Sequence, residues 1–314
     1  MIIRKRPKPL VLQKYEAIAP RLRRNFPRLQ EIQYESAKYL KGYKGELKVD
    51  YYLSLLADKH TILQDVCLPI GGQSVQIDNL ILSPQAIYLI EVKNYSGKII
   101  FDTVLNQFIR DDGKIQTGFN HPITQVEIQQ IKLQNWLQER GLPSIPIYHF
   151  IAISDPATIL EVVGDKEAIA KVVVRGESTP MKLMNHEKSL SSNTPVQHQK
   201  IGYTILRECR EFDIDIMTKH SIKGSDLLPG VQCPACGWLG MERTHSNWQC
   251  NKCHHKSPTA HKKTLEDYLL LVNPWITNSE CMRFLNFKSK NIATRLMKNA
   301  GLKYDEKHRR WYKK

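Results

Sequence analysis

The stretch IDNLILSPQAIYLIEVKN, Ile77–Asn94, decides how the rest of the chain is read. Two apolar, β-branched runs flank a Ser-Pro-Gln-Ala break, the pattern of two buried strands joined by a tight turn. Three charged residues sit in this apolar setting: Asp78, Glu91 and Lys93. If Pro84-Gln85 form the turn, Ser83 pairs with Ala86, and the same register sets Asp78 across from Glu91. Side chains directly opposite have Cβ atoms about 5 Å apart. Side chains two apart on a strand share a face, so Lys93 joins Glu91. Pro84 cannot adopt the positive φ of a primed two-residue turn, and a longer loop would move the pairing by a step. Both carboxylates would still lie on one face.

Two carboxylates at that spacing repel unless a positive charge lies between them. A hard divalent cation removes the repulsion, because Mg²⁺ takes one or two carboxylates and fills its remaining positions with water and substrate phosphate. Such an ion polarises a phosphoryl oxygen and lowers the pKa of a bound water. A neighbouring ammonium would stabilise the developing negative charge. An ion pair at a strand end, Glu91–Lys93 or Asp78–Lys93, explains the same three residues without chemistry, and the hairpin alone does not separate the two.

Upstream, Gln30 to Leu56 has helical spacing, with Gly42 and Gly45 expected to interrupt it, a helix start near Lys44 and Glu46 in a first turn. TILQDVCLPI reads as a strand leading into the hairpin, across Gly71-Gly72. Downstream, KIIFDTVLNQFIRD reads as a second hairpin. ITQVEIQQIKLQNWLQERG reads as a helix of about five turns closed by Gly141. IPIYHFIAIS and AKVVVRG read as buried strands, and the polar MNHEKSLSSNTPVQHQ as a loop or the start of a helix. Helix, strand meander, helix and further strands describe an α/β or α+β body over about residues 30–215.

The hairpin and its flanks resemble the nuclease-related domain, NERD, a relative of the restriction-endonuclease-like nucleases with the PD-(D/E)xK signature. Asp78 stands for the first acid and Glu91-Val92-Lys93 for the (D/E)xK part. Ile77 replaces the Pro of the older signature, as the NERD form does. YKGELKVDYYL resembles the family's first helix through Gly45 and Glu46, and HPITQVEIQQ its Pro-x-x-Gln motif through Pro122 and Gln125. The resemblance spans about residues 40–155. It implies an α/β fold, a restriction-endonuclease-like central mixed sheet flanked by helices. It also implies a catalytic set of Asp78, Glu91, Lys93, Glu46 and Gln125, with Mg²⁺ or Mn²⁺ held by Asp78 and Glu91. As a first-turn acid facing the helix dipole, Glu46 also has a purely structural reading; Gln125 has one as a solvent-facing amide.

After Leu228 the composition changes. Cys233, Cys236, Cys250 and Cys253 form two C-x₂-C pairs. Each pair makes a knuckle that aims two thiolates at one point, and two knuckles complete a tetrahedral Zn²⁺ site with no open position. Gly237 follows the first pair where such a turn needs it, and the stretch resembles a zinc ribbon. A segment this short cannot bury enough core alone, so the metal would be structural. A disulfide or redox pair is the alternative. Cys67, Cys209 and Cys281 are scattered, as buried thiols are. The last stretch resembles a helix-turn-helix or winged helix, with helices at 279–286 and 289–299 and HRRWYKK as a strand or wing. Lys288, Lys290, Arg295, Lys298, Arg309 and Arg310 are its candidate nucleic-acid contacts. Trp311 and Tyr312 would stack on bases or pack on the helices.

The 314 residues suffice for several domains, with expected boundaries at 1–29 (a basic arm), 30–215, 228–260 and 264–314. Residues 1–30 carry +8 and residues 219–314 carry +11 of the net +15, leaving the middle at −4. Basic ends around an acidic middle fit a polyanion partner, DNA first among them. No apolar run is long enough for a membrane span. The start has no apolar core of a secretory signal, so a cytoplasmic location is expected. The reading that follows is a metal-dependent nuclease with nucleic-acid-binding ends. Competing with it are a non-catalytic nucleic-acid-binding or regulatory protein that keeps the fold, and a zinc-dependent interaction scaffold.

Overall fold

The structure is a computed structural model and describes residues 1–190 and 195–313. It begins with strand β1 (Ile2–Arg4), helix α1 (Leu10–Ile18) and the long helix α2 (Leu29–Leu53). Strands β2 (Thr61–Ile70), β3 (Gln73–Leu82) and β4 (Ile87–Lys93) follow, then β5 (Lys98–Asp102), β6 (Gln107–Asp111) and β7 (Gln116–Phe119). Helix α3 (Pro122–Glu139) leads to β8 (Ile147–Ile153) and β9 (Ile159–Val163). Helix α4 (Lys166–Val172), β10 (Val173–Arg175), α5 (Thr179–Ser189) and α6 (His198–Glu208) come next. The chain divides into two compact units: residues 1–9 with 39–212, and residues 10–38 with 213–314. The stretch 1–29 is thus shared between them, and α2 runs from one unit into the other.

The first unit is built on a six-stranded mixed sheet in the order β1-β2-β3-β4-β8-β10. Strands β2, β3 and β4 form the antiparallel meander, while β4, β8 and β10 are parallel neighbours. One face buries Leu80, Leu82, Ile87 and Leu89 against Leu133, Trp136 and Leu137 of α3 and Ile201 and Ile205 of α6. The other buries Ile81, Tyr88, Ile90 and Val92 against Val49 and Leu53 of α2 and Leu183 of α5. Both faces of β4 are covered, which is why its sequence is apolar without alternation. Strands β7-β6-β5-β9 make a second sheet, whose Ile99, Phe101 and Phe108 pack with Val126 of α3 and Ile151 and Ile153 of β8.

The hairpin register is the expected one. Asn79 pairs with Ile90, Leu80 with Leu89, Ile81 with Tyr88 and Leu82 with Ile87. The Ser83 N–H donates to the Ala86 carbonyl at 2.9 Å. Pro84 is accommodated without a primed turn because the Ser83 hydroxyl accepts the Ala86 N–H at 3.1 Å, building a side-chain-stabilised turn.

Two local expectations are corrected. Helix α2 passes unbroken through Gly42 and Gly45, which places Glu46 in mid-helix rather than in a first turn. Gly45 serves close approach: a Cβ there would meet Asn94 Cβ at 2.5 Å and Ser154 Oγ at 2.7 Å. AKVVVRG is not one buried strand, since Ala170–Val172 end α4 and only Val173–Arg175 pair, with β8. In the polar stretch, Met184–Ser189 belong to α5 and His198 opens α6, while residues 191–194 lie outside the described residues.

The second unit adds helix α7 (Ile216–Lys219), strands β11 (Val231–Gln232), β12 (Leu239–Arg243), β13 (Trp248–Gln249) and β14 (Lys256–Ser257), and helix α8 (Ala260–Leu271). Then come β15 (Trp275–Ile276), α9 (Asn278–Leu285), α10 (Lys290–Asn299), β16 (Lys303–Asp305) and β17 (Arg310–Tyr312). Strands β11 to β14 form an antiparallel ribbon, and β15-β17-β16 a small sheet beside α9 and α10. A Thr277–Glu280 capping box starts α9, and Asn286 in the left-handed region turns the chain into α10. Arg21 is buried here, donating to Asp267 at 3.3 Å and to the Leu228 and Gly230 carbonyls, with its guanidinium over Phe284.

Candidate active site

The β3–β4 ladder ends at Asn79–Ile90, one step short of Asp78 and Glu91. There the Asp78 carboxylate substitutes for a backbone acceptor and takes the Val92 N–H at 2.8 Å. On the far side, Asp65 of β2 occupies the position opposite Asp78, between the pairs Gln64–Asn79 and Val66–Ile77. Asp65 has φ +54°, the left-handed region that a side chain rarely adopts. The apolar alternation of both strands changes phase at this point. Leu63 and Leu82 share a face with Val66, Leu68, Val75 and Ile77, an odd step that only a local twist can make. Backbone irregularity thus falls at the three acids Asp65, Asp78 and Glu91.

Glu91 is 5% exposed and bound from three directions. Lys93 Nζ donates to its Oε1 at 2.6 Å, Gln125 Nε2 to the same oxygen at 2.8 Å, and Gln129 Nε2 to Oε2 at 3.5 Å. Lys93 also donates to Gln125 Oε1 at 3.1 Å. The Glu91–Lys93 ion pair left open by the sequence is therefore present, but it sits within a larger set. Gln125 and Gln129 lie one turn apart on α3, so one helix face delivers both amides.

Glu46 and Asp50, also one turn apart, face the site from α2. Arg6, from the segment after β1, joins them: Nη1 to Glu46 Oε2 at 2.9 Å, Nε and Nη2 to the two Asp50 oxygens at 2.8 and 3.1 Å, and Nη2 to the Asp78 carbonyl at 2.6 Å. All five expected residues, Glu46, Asp78, Glu91, Lys93 and Gln125, thus meet in one neighbourhood. Sequence reading missed Arg6, Asp50, Asp65 and Gln129. Only Gln129 carried a signal, its spacing of four from Gln125.

The electrostatics are those of crowded carboxylates. Desolvation drives the Asp78 carboxyl well above the ordinary range, and the charges of Glu91 and Glu46 push the same way against Arg6 and the Val92 N–H. Burial also raises Glu46, opposed by Arg6 and reinforced by Asp65 and Asp50. Burial would lower Lys93, but the Glu91 charge outweighs it and holds the amine above its usual value, a cation rather than a base near neutral pH.

A cleft of about 730 Å³ opens beside Gln125. Gln76, Asn106, Asn120, Gln129, His121 and the exposed ring of Phe119 line it. The Gln129 Oε1 and both His121 ring nitrogens are buried there without a hydrogen-bond partner.

In the second unit, Cys233, Cys236, Cys250 and Cys253 have sulfurs all within 4.8 Å of one another. Cys233–Cys253 and Cys236–Cys250 are 3.7 and 3.6 Å apart, close to the separation of about 3.8 Å that a tetrahedron with Zn–S of about 2.3 Å requires. Gly237, at φ +70°, returns its N–H to the Cys233 carbonyl as a knuckle does. The four-cysteine cluster is compatible with zinc. Among the described residues it is the one group of three or more candidate ligands so closely gathered. Mg²⁺ needs no such gathering, since one or two carboxylates with water and phosphate suffice, and the buried Asp78 carboxyl, raised by the neighbouring charges of Glu91 and Glu46, fits that pair to a hard cation.

Lys288, Lys290, Arg295, Lys298 and Arg309 are exposed on or beside α10 and at the β16–β17 turn. Arg310 differs: it is half-buried, over Trp275 and 3.5 Å from Asp305. Trp311 is 3% exposed and packs, donating to Asn278, whereas Tyr312 is exposed. Among the described residues no helix is long and apolar enough to cross a membrane.

Residues 41–154 match the family model of the nuclease-related domain, NERD. An uncharacterized protein of Bacillus anthracis is 28% identical over 188 residues, covering 57% of this chain and 82% of that protein. No solved structure matches the chain.

Proposed function

We propose, from the premise that residues 41–154 are a nuclease-related domain, that the chain is a metal-dependent nuclease that hydrolyses phosphodiester bonds in DNA. The observation that carries this reading is the meeting of Glu46, Asp78, Glu91, Lys93 and Gln125 at the point where β3 parts from β4, beside an open cleft. Asp78 and Glu91 would hold Mg²⁺ or Mn²⁺. When bound, such an ion polarises a phosphoryl oxygen and lowers the pKa of its water. Lys93 holds its proton and stabilises negative charge developing on the phosphate. Gln125 fixes both Lys93 and Glu91 in place, and Glu46 contributes a third carboxylate from α2. The four cysteines would hold a structural Zn²⁺. The exposed cations Lys288, Lys290, Arg295, Lys298 and Arg309 would grip the phosphate backbone, which positions DNA without reading its sequence.

Purified protein on plasmid and linear DNA, with Mg²⁺, Mn²⁺ or EDTA, tests the reading beside Asp78→Ala, Glu91→Gln and Lys93→Ala. Native protein should cut only with added metal. The two acid variants should be inactive, and Lys93→Ala should be slower on the order of 10²–10³-fold. DNA retained but uncut under every metal would favour a non-catalytic binding protein. Cutting that survives both acid substitutions would place the activity elsewhere.

A further inference from the structure

We propose that Arg6, which lies outside residues 41–154, is a positioning residue of the metal site and sets how tightly that site binds its cation. The inference rests on the nuclease reading above and names a residue that reading does not include.

Arg6 is 8% exposed. Its backbone N–H is fixed by Gln64 Oε1 at 2.9 Å, so the side chain enters from a tethered point. The guanidinium fork then closes on both oxygens of Asp50, the bidentate geometry that only Arg provides. With the fork so anchored, the remaining donors reach the two parts of the site that come from different elements. Nη1 holds Glu46 Oε2, leaving Oε1 without that restraint, and Nη2 holds the Asp78 carbonyl where the β3–β4 ladder has run out. A carbonyl at a ladder end must find a donor, and the donor here also carries charge. One cation therefore couples helix α2 to strand β3 at the level of their acids. It also offsets the repulsion among Glu46, Asp50 and Asp78. Asp50 acts as its anchor. Groups that orient metal ligands in this way typically matter by about 10–100-fold in metal affinity.

The test is Mn²⁺ binding to the 314-residue, zinc-loaded chain without DNA, read from the electron paramagnetic resonance signal of free Mn²⁺. Native protein, Arg6→Lys, Arg6→Gln and Asp50→Asn are compared, with circular dichroism to establish that each is folded. Both Arg6 variants should bind Mn²⁺ roughly 10–100-fold more weakly. Asp50→Asn, which keeps Arg6 but loosens its anchor, should bind several-fold more weakly. Lys at position 6 should not rescue, since the fork and not the charge alone is required. Folded Arg6 variants that bind Mn²⁺ within twofold of native would overturn the proposal while leaving the nuclease reading intact. Should the Arg6 variants fail to fold, native affinity in Asp50→Asn would overturn it. Native protein that neither binds Mn²⁺ nor cuts DNA would remove the nuclease reading and this inference together.

Discussion

Asp78 has no cation of its own within the hairpin. Lys93 is committed to Glu91 and Gln125, and Arg6 reaches only the Asp78 carbonyl. The carboxylate keeps a single N–H, from Val92, against two neighbouring acids. Asp78→Asn retains an oxygen for that N–H and deletes the charge. The metal-free protein should therefore melt higher with Asn than with Asp at neutral pH. A relief on the order of 1 kcal/mol corresponds to about 2–4 °C in a unit of this size. If Asp78 holds the metal, Mn²⁺ should raise the melting temperature of the native chain and the same substitution should abolish that rise. Thermal scans of both proteins with and without Mn²⁺ check the pair of outcomes, and a variant that melts lower than native without metal would contradict the account of crowding. Asp78, Glu91 and Lys93 stood out in sequence as charges in apolar strands, but a strand-end ion pair explained them equally well until the Gly45-Glu46 and Pro122/Gln125 motifs were read beside them. Arg6 and Asp50 did not stand out, because a guanidinium near the start of the chain and a carboxylate on a polar helix look like ordinary surface charge until folding buries them.

At the scale of elements, the β3–β4 register assumed from a Pro84-Gln85 turn is the one found, and Gly141 lies just past the end of α3 as expected. Glycine in α2 misled the reading for a physical reason. Helix propensity counts Gly42 and Gly45 as breaks, but propensity is blind to what lies against the helix. Asn94 and Ser154 sit where a Gly45 side chain would go, and Asn94 Nδ2 donates to the Lys41 carbonyl of α2 at 2.6 Å. The glycine lets α2 lie close enough to β4 for Glu46 to reach the site. Gly45→Ala should favour the helix locally yet destabilise the protein, because overpacking costs about 1–3 kcal/mol. It should also weaken Mn²⁺ binding by moving Glu46 outward. Chemical denaturation and Mn²⁺ titration of the variant separate these effects. A gain in stability would show that α2 can shift at no cost and that Gly45 has no role in placement. The phase change at Asp65 was equally hidden, since an Asp in the left-handed region carries no pattern that distinguishes it from an Asp in a regular strand.

For the whole molecule, the charge layout made the strongest sequence argument about partners, and burial refines it. Not every basic residue in the ends is available: Arg6 and Arg21 are buried in ion pairs, and Arg310 is half-buried over Trp275. Exposed cations are spread along both basic ends; α10 is one candidate carrier, since Lys290, Arg295 and Lys298 are exposed while Ala293, Leu296 and Met297 of the same helix are buried. A helix with one face packed and the other cationic is suited to phosphate. If these three side chains each neutralise one phosphate, replacing all three by Ala should lower the slope of log affinity against log salt by about 2–3, at about 0.9 per contact on duplex DNA. Binding should weaken alike for unrelated sequences, because phosphate contacts carry no base information. Glu91→Gln, by contrast, should leave the slope unchanged while ending cleavage. Gel retardation of both variants over a salt series in EDTA measures this. An unchanged slope in the triple variant would move the DNA contact away from α10. Loss of retention in Glu91→Gln would mean that grip and cut are not separable, which the placement of α10 and Glu91 in different compact units argues against.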